Sequence, residues 1–283
     1  MPAGARFDPA NIDPTTGSVL QDAFLRPIPN FEEVEERTRD GVIDYDSLQV
    51  TLNRRVANGV GWGLSYTLST TKDMQGNLTV FLDPRERLYD YANNDRRHIL
   101  SYHASWDLPD GSRMWQNPVT RALLDGWQLA GVGYFMSGTP DDVTFQTTDA
   151  GGTDTIGGGD PVRITMTCDP HLPRSQRSED RWFDTSCFAR TPMGDYGNAP
   201  RQMIRQPGDW NLDLSLAKAF AMGGSRKFSV RAEAYNVLNL EDRTVNTTAT
   251  FDPDGNQVNS DFGRLNLPTG EARVVQLSLR FEF

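Results

Sequence analysis

Three histidines, His98, His103 and His171, and two cysteines, Cys168 and Cys187, are the side chains best suited to holding a metal or doing nucleophilic work. Zinc needs ligands of the right type converging, for example two histidines one helical turn apart with a glutamate beside the first. The chain has no His-Glu-x-x-His run, and its cysteine spacing matches no zinc pattern. Asp252, Asp254 and Asn256 hint at a calcium loop. The glycine at 255 is misplaced for one and no glutamate closes it, so an Asp-Gly turn is expected. Asp149, Asp154 and Asp160, in and around the glycine-rich run 151–159, could ligate an ion, but a flexible polar loop is the expectation. Gly157-Gly158-Gly159 lacks the Lys-Ser/Thr ending of a phosphate loop. Ser137 and Ser186 lack a partner pattern for nucleophilic catalysis. The sequence therefore predicts no catalytic residue, cofactor or metal, and no enzyme.

Composition narrows the class. The 283 residues carry a net charge of −10, which disfavours nucleic acid as a partner, since phosphate binding needs basic patches. Aromatics at 10% argue for a folded chain. No apolar run is long enough for a transmembrane helix. The opening Met1-Pro2-Ala3-Gly4 shows no charged region ahead of an apolar one, so no signal peptide is expected in this chain. For Cys168 and Cys187 two readings stand: two free thiols, or a loop-stapling disulfide, the expected state in an exported protein.

The elements that must position these residues read as strands. Successive side chains of a strand point to opposite faces, so a half-buried strand alternates apolar and polar residues. Val275, Leu277, Leu279, Phe281 and Phe283 share one parity at the C-terminus. Leu48, Val50 and Leu52 repeat the pattern, as do Trp62, Leu64, Tyr66 and Leu68. Leu100, Tyr102, Ala104 and Trp106 do so again, as do Trp210, Leu212, Leu214 and Leu216, and Phe228, Val230, Ala232 and Ala234. Between Gly126 and Ser137 the apolar parity switches, and a bulge near Gly131 is expected. About eight strands result, near 30–37, 44–55, 61–69, 96–106, 126–137, 209–218, 226–238 and 273–283, after an irregular connecting segment over 1–29.

The connections alternate. Segments 70–95, 138–208 and 239–272 are long, while 56–60 and 219–226 are short and 107–125 is intermediate. An outer-membrane β-barrel has this asymmetry, with short periplasmic turns and long external loops. Trp62, Trp106, Trp127, Phe220 and Phe228 fall at strand ends on the short-turn side, where an aromatic girdle at the lipid interface is expected. Arg231 and Glu233 fall on the lumen parity, a solvated wall in which they could pair, and His103 lies on that parity too.

Several runs go further. Gly4-Ala5-Arg6-Phe7-Asp8-Pro9, Tyr45-Asp46-Ser47-Leu48-Gln49-Val50 and Asp95-Arg96-Arg97-His98-Ile99-Leu100 are three of them. Gly126-Trp127-Gln128-Leu129 with Ser137-Gly138-Thr139-Pro140, Arg181-Trp182-Phe183-Asp184-Thr185 and Glu233-Ala234-Tyr235-Asn236-Val237-Leu238-Asn239 are the others. Together they resemble the Oar-like TonB-dependent receptors of the Gram-negative outer membrane, over essentially the whole chain. The resemblance implies an all-β fold: an antiparallel transmembrane β-barrel in which residues 30–283 supply about eight C-terminal strands of about 22. It also implies that Val275, Leu277, Leu279, Phe281 and Phe283 form the terminal strand recognised by the barrel assembly machinery. TonB and a plug domain are partners only of the longer family members, which also carry a signal peptide and a β-sandwich.

Two functions follow. The first is the C-terminal barrel portion of a transporter for a bulky substrate, with the long loops exposed outside. The alternative is a free-standing eight-stranded barrel with a structural or adhesive role. Small barrels fill their interior with side chains. The lumen parity here is mostly Ser, Thr, Asn and Gly, which favours the first.

Overall fold

The computed structural model describes residues 4–26, 39–74, 83–113, 117–149, 152–156, 162–224, 226–270 and 272–283. Its frame is an eight-stranded antiparallel sheet. Seven long strands form it in chain order: β1 Ile43–Ala57, β2 Val60–Met74, β3 His98–Asp107, β4 Trp127–Met136, β5 Asp209–Ala221, β6 Lys227–Tyr235 and β7 Val274–Glu282. The eighth is the short Tyr89–Tyr91, which pairs with the far end of β2. The strand expected near 30–37 lies outside the described residues.

Each strand pairs with its neighbour in sequence, the simplest order for a meander, and the path ends at β1 and β7. Asn58 and Gly59, at φ +55° and +77°, turn β1 into β2. A two-residue Asn-Gly turn has the left-handed backbone that matches strand twist.

Register carries one apolar face across the whole sheet. Leu52 faces Leu64, Leu64 faces Tyr102, Tyr102 faces Gly133 and Gly133 faces Leu212. Leu216 continues to Ala232 and Ala232 to Leu277. The pairing of β4 with both neighbours runs unbroken through Gly131, so the expected bulge is absent. The parity switch has another cause. Val132, Tyr134 and Met136 face inward beside His103 and Asn211, while Gly131 and Gly133 occupy the outer face. Neighbouring side chains cover those glycines. A Cβ on Gly133 would lie 2.6 Å from the Tyr102 ring, and one on Gly131 would lie 2.8 Å from Leu214.

The buried core sits elsewhere. Among the described residues, none of the buried apolar side chains belongs to the seven long strands. The core comprises Val143, Phe145, Ile164, Phe183, Phe188, Ala199, Ile204, Val245, Ala249, Phe251 and Phe262, all from the two longest connections. These connections fold into a cap. Thr144–Thr147 runs parallel to Thr248–Phe251, and two-residue pairings join 140–141 to 204–205 and 165–166 to 188–189. Phe183, Phe188 and Phe262 meet edge to face, with centroids 5.3–5.8 Å apart. Each such ring contributes roughly 2–3 kcal/mol of burial and each pair about 1 kcal/mol more. A disulfide joins Cys168 to Cys187 at the cap's edge, with Cα atoms 4.9 Å apart. The expected flexible loop over 151–159 is therefore corrected in part. Thr155 and Ile156 are 1% exposed, while 151 and 157–159, with the candidate Asp160, lie outside the described residues.

Candidate functional site

The outer face of the sheet leaves its apolar side chains uncovered. Leu48, Leu52, Val275, Leu277 and Leu279 are 52–74% exposed although they alternate with polar residues as buried side chains would. An apolar face this extensive on a water-soluble monomer would be an aggregation hazard, and in a barrel it is the lipid contact.

Aromatic rings gather at both ends of that face. At the end of the short turns, Phe220 faces Phe228 and Phe228 faces Phe281, with the Phe220 and Phe228 centroids 6.1 Å apart. Phe281 stacks on Phe283 at 6.3 Å. Trp62, Trp106 and Trp127 lie on the same face at the same end of their strands. Lys218 shares this face yet is only 4% exposed. Its ammonium lies over Trp127 and Phe220, 5.2 and 5.0 Å from the ring centroids, and donates to the Asp125 carbonyl. A long cation can bury its stem in apolar surroundings while its head finds a polar partner.

A second group of rings lies toward the long-connection end, which the sequence reading did not single out. Tyr66, Phe135 and Trp210 form one row through Leu100. Trp210 Nε1 donates to the Tyr102 hydroxyl at 2.8 Å, and the Tyr66 hydroxyl bonds His98 Nδ1 at 2.8 Å. Their polar tips make the rings suited to an interface, one end apolar and the other wet. The alternation of Tyr66, Tyr102 and Trp210 was visible, but the pairing that aligns them is not local.

The inner face is polar and open. Gly63, Ser65, Ser101, His103, Tyr134 and Asn211 line a concavity of about 280 Å³ on the sheet. The His103 ring and Asn53 lie across Gly63, where a Cβ would come within 2.3 Å of the imidazole and 2.5 Å of the amide oxygen. Toward the mouth, a cleft of about 530 Å³ runs between Tyr134, Asp209, Asp213, Tyr235, Asn236 and Asp242. Burial raises the Asp242 carboxyl above the usual carboxylate value, and the charge of Asp209 raises it further. Arg231 and Glu233 are 3.5 Å apart on the inner wall.

The remaining chemical candidates lie in the cap or at its edge. Asp149 pairs with Arg190 at 2.7 Å and Asp154 with Arg6 at 2.5 Å. Arg6 belongs to the N-terminal segment, and together with Gly4, whose amide donates to the Ile156 carbonyl, it ties the start of that segment to the cap. His171 bonds Asp169 at 2.6 Å and the Met203 carbonyl at 3.0 Å. The Ser186 hydroxyl donates to Asp184, and Ser137 Oγ accepts from the His98 amide. Asp252 accepts from the Asn256 amide at 2.7 Å around Gly255. Among the described residues, no three His, Cys, Asp or Glu side chains are grouped to hold a metal.

The motif runs gain physical roles. Trp182 donates to the Arg205 carbonyl, Phe183 fills the cap core, and Asp184 caps the helical turn Thr185–Cys187. Asn236, at φ +48°, ends β6 and bonds Leu240 through its side-chain oxygen, while Asn239 accepts from the Arg273 amide at the approach to β7.

No described helix is long and apolar enough to cross a membrane. No curated protein and no solved structure matches the chain. A family model described as outer membrane beta barrel domain matches residues 3–276. With an antiparallel sheet whose apolar face is bare from edge to edge and whose inner face is polar, the chain belongs to the outer membrane β-barrel domain family.

Proposed function

We propose that the chain is the C-terminal portion of the barrel of an Oar-like TonB-dependent transporter, which carries a bulky substrate across the outer membrane. The observation that carries this reading is the condition of the sheet's edge and inner wall. All 15 residues of β1 are exposed, and among the described residues the strand pairs on one side only. An unpaired strand edge costs several kcal/mol per group in hydrocarbon, so further strands must complete the sheet in a membrane. The inner wall of Ser101, His103, Asn211 and Asp213 is polar, whereas a closed eight-stranded barrel would fill its interior with packed side chains. A wide lumen that a plug domain fills suits this wall better.

In this reading the long connections lie outside the cell. The cap presents a preformed recognition surface above the mouth, on a rigid scaffold of the kind that carries binding loops. The terminal strand, with Val275, Leu277, Leu279, Phe281 and Phe283, is the segment offered to the barrel assembly machinery. TonB and the plug engage the complete receptor.

The test is the size of the native product in isolated outer membranes, detected with an antibody against residues 138–208. The expected band is several times larger than the 31.6 kDa of this chain. A band at 31.6 kDa in the same fraction would overturn the transporter reading in favour of a small structural barrel.

A further inference from the structure

The connection between β3 and β4 contains the helix Pro118–Leu124, capped at its start by Asn117 and Thr120 in a reciprocal box. At 100° per residue, Val119, Ala122 and Leu123 fall on one side of it and Arg121 on the other. Val119 is 65% and Leu123 59% exposed. Leu124 instead turns back on the connection, where it covers Gly111.

Two residues of the lipid-facing sheet surface hold the end of this helix. Trp127 Nε1 donates to the Leu123 carbonyl at 2.9 Å. Lys218, lodged between Trp127 and Phe220, donates to the carbonyl of Asp125, the residue that closes the helix. The Asp125 side chain accepts from the Ser112 amide and hydroxyl at 2.8 and 2.6 Å, which ties the connection to the same point. The C-terminal end of the helix is thus tied to the aromatic band of the sheet through its backbone carbonyls.

We infer that Pro118–Leu124 is a membrane foot. It lies flat at the phospholipid surface at the short-turn end of the barrel, with Val119 and Leu123 at the boundary of headgroups and acyl chains. A phospholipid surface fits for three reasons. The end of the helix is bonded to Trp127 and Lys218 on the lipid-facing surface of the sheet. Its apolar side and Arg121 lie on opposite sides, as an interfacial helix requires. The Trp127–Lys218 pair that clamps it is the chemistry of an interfacial anchor. The foot depends on the sheet's outer face meeting lipid and not on transport.

Nitroxide labels test it in the assembled protein in phospholipid vesicles. Leu123→Cys, Arg121→Cys and, as a lipid-face reference, Leu214→Cys would each be labelled; the native cysteines are bonded to each other and leave no free thiol. The readout is collision with oxygen, which concentrates in lipid, against collision with a water-soluble nickel chelate. The expected oxygen-to-nickel ratio is several-fold higher at 123 than at 121 and lower than that at 214, which lies deeper in the hydrocarbon near the middle of β5. A nickel-dominated signal at 123 equal to that at 121 would overturn the foot. Exclusion of both agents at 123 would overturn it in favour of a protein partner on this face. A nickel-dominated signal at the 214 reference would refute lipid contact of the sheet, and the foot with it, while leaving the size test of the transporter reading separate.

Discussion

Arg205 in the cap donates to the fully buried carboxylate of Asp95 at the rim of the sheet, and its guanidinium lies 4.8 Å from the centre of the Tyr91 ring. Asp95 also accepts from the Thr71 amide of β2 at 2.6 Å, and its own carbonyl accepts from Arg205 at 3.2 Å. One residue thus fastens β2, the entry to β3 and the cap together. Beside it, Arg96 donates to the Ser137 carbonyl, and the Ser137 and His98 backbones bond each other. The Asp-Arg-Arg-His run is a clasp between sheet and cap.

Breaking the clasp should free the cap before it disturbs the sheet. Asp95→Ala leaves a half-buried guanidinium without its carboxylate, at a cost of about 3 kcal/mol. Hydrogen exchange of cap amides such as Ala199, which bonds the Ile164 carbonyl, should quicken while β4 and β5 stay protected. In a double-mutant cycle with Arg205→Ala the coupling should be about 1–3 kcal/mol. Additive single effects would show that the pair does not join the two parts.

Gly138 marks the tightest crossing at the base of the cap. A Cβ there would sit 1.7 Å from the Gln206 carbonyl oxygen and 2.6 Å from that of Pro207, both backbone atoms. Gly138→Ala should therefore cost at least about 3 kcal/mol, above ordinary overpacking. Gly17 has φ +69° but open space around it, so Gly17→Ala should cost only about 1 kcal/mol. Denaturation of the two variants, followed by protease resistance of the cap, compares them. Equal losses would remove the steric explanation.

The sheet was legible in sequence because its alternation is set locally, residue by residue, and lipid imposes it over long strands such as β1 and β2. It failed at β4, where Gly131 and Gly133 take the outward positions and Tyr102 and Leu214 supply the apolar surface from neighbouring strands. The cap was not legible. Its core joins isolated rings such as Phe145 to Phe251 and Phe183 to Phe262 across distant sequence, with no period to announce them. The helix Pro118–Leu124 was missed because two turns carry too few apolar positions to stand out from a polar connection.

Reducing the Cys168–Cys187 disulfide should loosen the cap by about 3 kcal/mol, the loop entropy released over its separation of 19 residues. Limited proteolysis with and without reductant should show new cleavage between 169 and 186, with the sheet still intact. Unchanged cleavage would mean that the disulfide adds nothing to what the aromatic cluster and the Asp95–Arg205 clasp already hold.

Acid should act on the cap through its aspartates. The Thr147 hydroxyl and then Arg190 hold Asp149 below the ordinary value of 3.8. The His171 amide does so for Asp169, the Ser186 hydroxyl for Asp184 and the Asn256 side chain for Asp252. A carboxyl whose folded value is depressed binds its proton first in the unfolded chain. Its contribution is complete above 3.8 and is lost as pH falls through the folded value. Asp242 near the mouth has the opposite sign: its value is raised, so its contribution is present at acid pH and lost as pH rises. Cap protease resistance should therefore be flat near neutrality and fall below 3.8. A cap that loosens instead as pH rises from acid to neutral would make Asp242 dominant.

Charge should discriminate the two faces of the sheet more sharply than burial does. Leu214 and Ser215 are neighbours in β5, facing Ala234 and Glu233 of β6. In water an arginine at either would cost little, since neither side chain is buried. In a bilayer, Leu214→Arg puts a cation in hydrocarbon at a cost of about 2–4 kcal/mol, whereas Ser215→Arg points into the wet lumen toward Glu233. The heat-modifiable, membrane-integrated fraction should fall several-fold for Leu214→Arg and stay near the parent level for Ser215→Arg. Equal losses at both positions would mean that the apolar face does not meet lipid, and that its exposed leucines are covered by protein.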